Sequence, residues 1–229
     1  MNIKAVVFDI DGTLVNYESS KFKSSWDAIG HSLEGDIKKT WFEHLENYYY
    51  QKDKIIEWTE KDAMLLKGLP FSHVEKALFN NGKVPYNNGV REFLNKLDNN
   101  YVLGMVSGGV NFVSDRIMND FPEKFDFSII NVLNRKNSCL DGTVQAIDMW
   151  KKDELLDGLL KKEYSFTLEN VCYIGDSGND IPLMKRVGLP IAFDSFGKDS
   201  EEIKLYASYV IDDFRQLPRI LKEFELYDL

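Results

Sequence analysis

The sequence feature that most constrains the fold is an apolar run near the start of the chain that ends abruptly on two aspartates. It reads Ile3-Lys4-Ala5-Val6-Val7-Phe8-Asp9-Ile10-Asp11-Gly12-Thr13-Leu14. Such a run is typical of a central parallel strand buried on both faces. Asp9 and Asp11 share a face at its carboxyl end, where open α/β sheets place their active sites. On this segment alone, a strand capped by a turn-forming Asp-Gly pair explains the pattern nearly as well.

Three further segments carry side chains of the kind that phosphoryl transfer needs. Residues 102–106 lead into Ser107-Gly108-Gly109, Lys152 opens a helical pattern, and residues 171–174 lead into Gly175-Asp176-Ser177-Gly178-Asn179-Asp180. Taken singly, these are ordinary features: a glycine loop, a solvated lysine and a helix cap. In this order they supply, with the first two aspartates, a nucleophile, an acid/base, donors for phosphate, a cation and a metal-binding carboxylate.

The rest of the chain alternates between predicted strands and helices, which indicates an α/β sheet with helices on both faces. The predicted strands span residues 5–8, 102–106, 127–132, 171–174 and 190–193, and the predicted helices span residues 90–97, 112–118, 153–160, 181–187 and 214–224. The segment Leu140-Asp141-Gly142-Thr143 is typical of a hairpin turn beside the sheet.

Between Leu14 and about Val84 the apolar residues recur mostly at helical spacings, and Pro70 precedes a further predicted helix over residues 71–78. We expect a helical cap inserted after the first strand, with residues 16–84 as the cap and residues 1–15 and 85–229 as the catalytic core. Hinges are expected near residues 15–18 and 83–86. If Tyr48-Tyr49-Tyr50 lies on a helix, at most two of the three rings could face a pocket.

These motifs and their order resemble the haloacid dehalogenase-like (HAD) phosphohydrolases, and most closely the phosphoserine phosphatase family. The resemblance is strongest at residues 9–18, 106–109 and 175–180 and weak over residues 19–61. It implies a Rossmann-like doubly wound parallel sheet, the HAD fold, with the small helical cap after the first strand. It also implies that the first strand is central, flanked by the strands that end at Ser107 and Gly175.

The resemblance assigns the chemistry to particular residues. Asp9 is expected to be the nucleophile that forms an aspartyl-phosphate, and Asp11 the general acid/base. Haloacid dehalogenases lack an aspartate at the second position, so Asp11 favours phosphate ester chemistry over carbon–halogen cleavage. Ser107 and the Gly108 N–H are expected to bind the phosphate, with Lys152, preferred over Lys151, as the cation.

Clustered carboxylates with oxygen-only ligands indicate Mg²⁺. The expected ligands are the carboxylates of Asp9 and Asp176 and the backbone carbonyl of Asp11. Asp180 is expected to act indirectly, by orienting waters or the lysine, and Asn179 to hydrogen-bond the phosphate or the nucleophile. Helix capping would account for the last two residues equally well, and they can do both. The three histidines are His31, His44 and His73. Their spacing is not that of metal ligands, so we interpret them as surface or packing residues.

The substrate is predicted to be a small phosphorylated metabolite. Glu18 falls where phosphoserine phosphatases carry the glutamate that meets the substrate amino group, although a solvated hinge glutamate is as good a reading. Asp62 falls where the family carries an arginine for the substrate carboxylate, so we expect phosphoserine to be a poor substrate. A phosphomutase and a non-catalytic phosphate-binding protein are the alternatives on the same scaffold.

Composition limits the remaining classes of function. The 229 residues carry a net charge of −9, which argues against nucleic acid as a partner. The two cysteines, Cys139 and Cys172, give no disulfide framework. No secretory or membrane-length apolar stretch is evident, so we expect a cytoplasmic protein, monomeric or homodimeric, with no membrane partner.

Overall fold

The computed structural model describes residues 2–17, 24–97, 101–194 and 200–224. Within them a seven-stranded sheet has the order β4-β3-β2-β1-β5-β6-β7, and all neighbours pair in parallel except β3 and β4. The strands are β1 (Ala5–Phe8), β2 (Val102–Val110), β3 (Phe127–Lys136), β4 (Cys139–Gln145), β5 (Val171–Gly175), β6 (Leu189–Phe193) and β7 (Tyr209–Ile211). The first strand lies between β2 and β5, as the sequence predicted.

Helices cover both faces of the sheet. They are α1 (Ser25–Ser32), α2 (Gly35–Tyr48), α3 (Ile55–Leu65), α4 (Phe71–Leu78), α5 (Val90–Lys96), α6 (Asn111–Asp120), α7 (Lys152–Leu159), α8 (Ile181–Met184), α9 (Ser200–Lys204) and α10 (Leu217–Lys222). Strand β1 is buried throughout, with Val6 and Phe8 in one apolar cluster and Ala5 and Val7 in the other. The predicted doubly wound α/β fold is therefore confirmed. No helix in the described ranges is long and apolar enough to cross a membrane.

All five predicted strands are present, but the predicted hairpin turn at residues 140–143 is wrong. The turn that joins β3 to β4 lies at Asn137 and Ser138, where Asn137 has a φ of 59°. Residues 140–143 lie inside β4, where the register with β3 shifts. The Asp-Gly pair lies at this register shift rather than in a turn, and Gly142 has a φ of 87°, a conformation that one class of β-bulge also requires of glycine. Strands β4 and β7 are additional to the predicted set.

Helices α1–α4 occupy the segment predicted as a cap, and we call them the helical insert. Where the chain leaves the sheet, Val15 pairs with Tyr86, and Asn16 N–H donates to the Pro85 carbonyl at 2.8 Å. The two connections that the sequence predicted as hinges thus lie side by side. The division into a core and a cap at residues 16 and 84 stays a prediction.

Candidate active site

The carboxyl ends of β1, β2 and β5 bring the predicted site residues to one edge of the sheet. Asp9 follows β1 directly, and its N–H donates to the Ile174 carbonyl at 2.9 Å, which continues the ladder with β5. Gly12 then turns the chain with a φ of 88°. A Cβ on Gly12 would clash with the Asp176 carboxylate. Glycine is therefore needed both for the turn and for the close approach of the segments that follow β1 and β5.

Lys152 forms a buried ion pair with two aspartates. Its Nζ lies 3.0 Å from Asp9 Oδ1 and 2.6 Å from Asp180 Oδ1, and its side chain is 1% exposed. Lys151 instead lies on the surface, 58% exposed and 3.9 Å from Asp148. Of the two lysines, Lys152 is therefore the one that contacts the aspartates, because α7 begins there and its side chain is buried.

Asp180 is hydrogen-bonded through both carboxylate oxygens. Oδ1 accepts from Lys152 and from the Tyr173 hydroxyl, both at 2.6 Å, and Oδ2 accepts from the N–H groups of Asp176 and Ser177, both at 3.1 Å. These four bonds occupy the hydrogen-bond acceptor positions of the Asp180 carboxylate. Asp180 therefore caps the turn that follows β5 and also holds Lys152 in place.

Three buried carboxylates lie close enough to share one cation. An oxygen from each of Asp9, Asp176 and Asp180 lies within 4.8 Å of the others. Burial raises the pKa of Asp9 to about 7 despite the attraction of Lys152. Burial and the charges of Asp9 and Asp180 hold the pKa of Asp176 well above its usual range. Each close pair of ionised carboxylates repels by about 4 kcal/mol at an effective dielectric constant of about 20.

A divalent cation fits this cluster because it would offset the repulsion and favour the ionised carboxylates. All the candidate side-chain ligands are oxygens, the donor type of hard cations. Thr13 Oγ1 donates to Asp176 Oδ1 at 3.1 Å and orients that carboxylate. Among the described residues, this buried cluster is the feature that suits a divalent metal.

Asp11 presents its two carboxylate oxygens to different surroundings. Oδ2 accepts from the Ser25 N–H at 2.8 Å and from the Ser25 hydroxyl at 2.6 Å. Oδ1 is buried and has no hydrogen-bond partner in the described structure. Burial raises the pKa of Asp11 to about 6, against the lowering effect of the two bonds from Ser25. A carboxyl group with a pKa near neutrality and one uncommitted oxygen has the properties of a general acid/base.

The Ser-Gly-Gly segment lies inside β2, where the register with β3 shifts between Val106 and Val110. Ser107 is buried, and its Oγ accepts from the Gly109 N–H at 3.2 Å. The Gly108 carbonyl accepts from Trp26 Nε1 at 3.0 Å and from Asn131 Nδ2 at 2.6 Å. These two donors fix the orientation of the peptide unit between Gly108 and Gly109, which directly follows the predicted phosphate-binding Gly108 N–H.

Two other predicted residues contribute less to the observed network. Asn179 lines the cavity, its Nδ2 lies 3.9 Å from Met149 Sδ, and its buried Oδ1 has no hydrogen-bond partner among the described residues. Its amide is thus available to a ligand. Glu18 lies outside the described residues, so its predicted contact with a substrate amino group stays a prediction.

A cavity of about 690 Å³ lies between the catalytic edge of the sheet and the helical insert. Asp9, Asp11, Ser107 and Asp176 form part of its lining. The expectation for the tyrosine run is wrong: Tyr48, Tyr49 and Tyr50 all line the cavity, because α2 ends at Tyr48 and the chain turns there. Further lining rings are Trp26, Trp41, Trp58 and Trp150.

Asp62 lines the same cavity and is paired with a histidine. His44 Nδ1 lies 2.7 Å from Asp62 Oδ1, and the two side chains are 18% and 6% exposed. Burial raises the pKa of Asp62 to about 6, opposed by its hydrogen bond with His44. His44 therefore does more than pack: it orients a carboxylate at the cavity wall.

Sequence reasoning missed several residues that contact the predicted ones. Tyr173 and Asn131 are polar residues within predicted strands, a signal that could have marked them as candidates. Ser25 and Trp26 reach the site from the helical insert, and nothing in the local sequence connects them with Asp11 or Gly108.

The comparisons with known proteins agree with this geometry. A family model for haloacid dehalogenase-like hydrolases matches residues 6–185. The chain belongs to this family. A phosphoserine phosphatase of Methanocaldococcus jannaschii is 34% identical over 197 residues, which cover 83% of this chain and 85% of that protein. A phosphoserine phosphatase of Streptococcus thermophilus is 25% identical over 226 residues, 97% of this chain and 95% of its own length.

Solved structures extend the likeness to the whole fold. A phosphoserine phosphatase that holds an analogue of the phospho-aspartyl intermediate is 28% identical, with a TM-score of 0.70 over 96% of this chain and 99% of that chain. An apo phosphoserine phosphatase is 29% identical, with a TM-score of 0.69 and coverage of 96% and 98%. The protein is thus a phosphatase of the HAD family.

Proposed function

We propose that the protein is a Mg²⁺-dependent phosphomonoesterase that hydrolyses a small phosphorylated metabolite through an aspartyl-phosphate on Asp9. The observation that carries this proposal is the arrangement of Asp9, Lys152 and Asp11. A buried lysine orients the first carboxylate at 3.0 Å, and the second carboxylate keeps Oδ1 without a hydrogen-bond partner at the same cavity. A nucleophile and an acid/base are thus brought to one site.

Two displacements at phosphorus account for the reaction. In the first, an Asp9 oxygen forms a bond to phosphorus while the bond to the alcohol oxygen breaks, and Asp11 gives its proton to that oxygen. In the second, Asp11 takes a proton from water, whose oxygen bonds to phosphorus while the bond to Asp9 breaks. Inorganic phosphate is released, and both aspartates return to their starting states.

Ser107, Gly108 and Lys152 bind the phosphoryl group in this proposal. The serine hydroxyl and the glycine N–H donate to its oxygens, and the lysine offsets the negative charge. Asn179, which lines the same cavity, donates its amide N–H to the phosphoryl group in this proposal. Asn131 and Trp26 act through the peptide they orient, because both donate to the Gly108 carbonyl.

Mg²⁺ is the cation we propose, held by the carboxylates of Asp9 and Asp176 and the backbone carbonyl of Asp11. When bound, it supplies positive charge that offsets the carboxylates and the transferring phosphoryl group. Asp180 keeps its indirect role, because its oxygens already accept from Lys152, Tyr173 and two backbone N–H groups. The reaction is proposed to take place in the cytoplasm.

The relatives named above are phosphoserine phosphatases, so phosphoserine is the first substrate to test. The carboxylate of Asp62 at the cavity wall supports the sequence-based prediction that this substrate is turned over poorly. Glu18 stays a proposed contact for a substrate amino group.

Release of inorganic phosphate from a panel of phosphate esters, with Mg²⁺ and without a bisphosphate activator, tests the function. We expect release that stops with a chelator and returns with Mg²⁺, and transient labelling of the protein by a ³²P-labelled ester. Transfer that needs a bisphosphate would indicate a phosphomutase. Binding of phosphate without any turnover would indicate a non-catalytic protein.

A further inference from the structure

The part of the cavity that lies beyond the catalytic residues is lined mainly by acidic and aromatic side chains. Its carboxylates include Asp27, Asp62 and Glu202, in addition to those of the predicted metal cluster. Among the described lining residues, Lys52 is the cation and no arginine is present. A substrate carboxylate would therefore meet like charges there, whereas a positive charge would be attracted.

The one lining lysine already has a partner. Lys52 Nζ lies 3.7 Å from the centroid of the Trp150 ring, and the lysine side chain is otherwise exposed. Lys52 is thus poorly placed to form an ion pair with a substrate carboxylate in the cavity. The contact places an ammonium group over an indole face that lines this cavity, a geometry that favours cation–π attraction.

Aromatic rings of the helical insert offer further faces of this kind. Tyr48 already has Lys61 Nζ 4.9 Å from its ring centroid, and it stacks on Trp58 with 17° between the planes and 6.3 Å between the centroids. The rings of Trp26 and Trp41 lie 6.1 Å apart, so the tryptophans provide the remaining ring faces of this wall. Aromatic faces attract alkylammonium groups, most strongly where water is excluded. A wall of rings that also contains a carboxylate is suited to an organic cation.

Asp62 is a buried carboxylate of α3 that lines the cavity beside Trp58. Its side chain is 6% exposed, and His44 fixes one of its oxygens from outside. Asp62 therefore places a carboxylate against the aromatic wall, where a bound cation would favour its ionised form.

We propose that the alcohol half of the substrate carries a positively charged nitrogen and no carboxylate, as in a phosphorylated amino alcohol with a primary to quaternary ammonium. This inference rests on the proposed phosphomonoesterase activity and names its substrate class. The phosphoryl group binds at Asp9, and the nitrogen lies against the rings and Asp62. Phosphoserine offers the same ammonium but adds a carboxylate that this wall repels.

The test compares kcat/KM of the unmodified protein for phosphocholine, phosphoethanolamine, glycerol phosphate, phosphoserine, adenosine monophosphate and p-nitrophenyl phosphate. We expect at least one of the two cationic esters to exceed glycerol phosphate and phosphoserine by about tenfold or more. Asp62→Asn should lower that preference about tenfold, mainly through KM. Glu60→Gln makes the same charge change on α3 at an exposed residue outside the cavity lining and should leave the preference unchanged.

The outcomes separate this inference from the function on which it rests. If p-nitrophenyl phosphate is hydrolysed while phosphoserine, glycerol phosphate or the nucleotide exceeds both cationic esters, the cationic class is wrong and the phosphatase proposal stands. An equal loss of preference in Asp62→Asn and Glu60→Gln would also overturn the role of the wall. If no ester releases phosphate, both proposals fail.

Discussion

At the scale of single residues, Asp9 is the group whose substitution separates binding from chemistry. Asp9→Asn keeps an oxygen that can accept from Lys152 but cannot displace an alcohol from phosphorus. We expect phosphate release to fall at least about a thousandfold, with no labelled intermediate and no change in the folded state. Steady-state assays and acid-quenched labelling measure these effects. Once deamidation is excluded by mass spectrometry, labelling of the variant would contradict the assignment of the nucleophile.

The second residue-scale prediction concerns the proton on Asp11. Asp11→Asn removes the proton donor while the side chain keeps an oxygen for the bonds from Ser25. We expect kcat for an alkyl phosphate to fall about 10²- to 10⁴-fold. Formation of the intermediate from p-nitrophenyl phosphate should fall much less, because that leaving group needs little protonation.

Single-turnover rates for the two esters provide the comparison. Equal losses with both esters would mean that Asp11 has a different role, such as holding the metal alone.

Several site residues could be predicted because their positions are local consequences of the sequence. Asp9, Ser107 and Asp176 each follow an apolar strand, and parallel strands bring such positions to one edge. Ser25 could not be predicted, because its contact with Asp11 depends on how the helical insert packs on the sheet. The family spacing favoured Lys152 over Lys151, and the start of α7 at Lys152 gives the physical reason why that side chain contacts the aspartates.

At the scale of secondary-structure elements, Asn131 on β3 links three parts of the site. Its Nδ2 donates to the carbonyls of Gly108 at 2.6 Å and Gly109 at 3.2 Å, and its Oδ1 accepts from the Ile147 N–H at 2.8 Å. Asn131→Ala should leave buried backbone groups without partners and destabilise the protein by about 1–3 kcal/mol. It should also weaken inhibition by inorganic phosphate, since the backbone that directly follows the Gly108 N–H loses two of its hydrogen bonds.

Asn134→Ala is the matched control on the same strand. Its Nδ2 donates to Thr143 Oγ1 at 2.9 Å, on the side of β4. Chemical denaturation and phosphate inhibition constants should separate the two variants. If both alter phosphate binding equally, Asn131 acts only through the stability of the strand.

The elements that were predicted and those that were not differ in a simple physical respect. The five predicted strands are apolar runs that the fold buries. Strand β4 contains Asp141, Gly142 and Thr143 and pairs at the edge of the sheet, so it carries no continuous apolar signal. Strand β7 has three residues and forms the other edge, which is too short for a periodicity to be recognised.

At the scale of the whole molecule, the buried carboxyl groups of the candidate active site should couple stability to pH. The carboxyl groups of Asp9 and Asp11 have pKa values of about 7 and 6, against 3.8 as the ordinary value. Between about pH 4 and 7 the folded state therefore binds more protons than the unfolded state, so the free energy of unfolding falls as pH rises. We expect the metal-free protein to be less stable at pH 8 than at pH 5, by an amount on the order of a few kcal/mol.

Thermal melts at both pH values, with a chelator and with Mg²⁺, measure this coupling. Mg²⁺ should raise Tm more at pH 8 than at pH 5, because it binds the ionised carboxylates. Asp9→Asn should flatten the pH dependence, whereas Asp157→Asn, at a surface carboxyl whose pKa is lowered chiefly by its hydrogen bond with Lys161, should not. A metal-free protein that is more stable at pH 8 would contradict the idea that these carboxylates await a cation.

The pairing of Val15 with Tyr86 has a consequence for how the family can vary. The entropy of closing a chain segment grows only with the logarithm of its length, by about 0.6 kcal/mol for each doubling. Since the two ends are already joined at the sheet, lengthening or shortening the residues between them changes folding free energy little through closure. With the Val15–Tyr86 pairing in place, the helical insert that contacts the leaving group can differ in length between family members. The strands that carry the aspartates keep their register meanwhile.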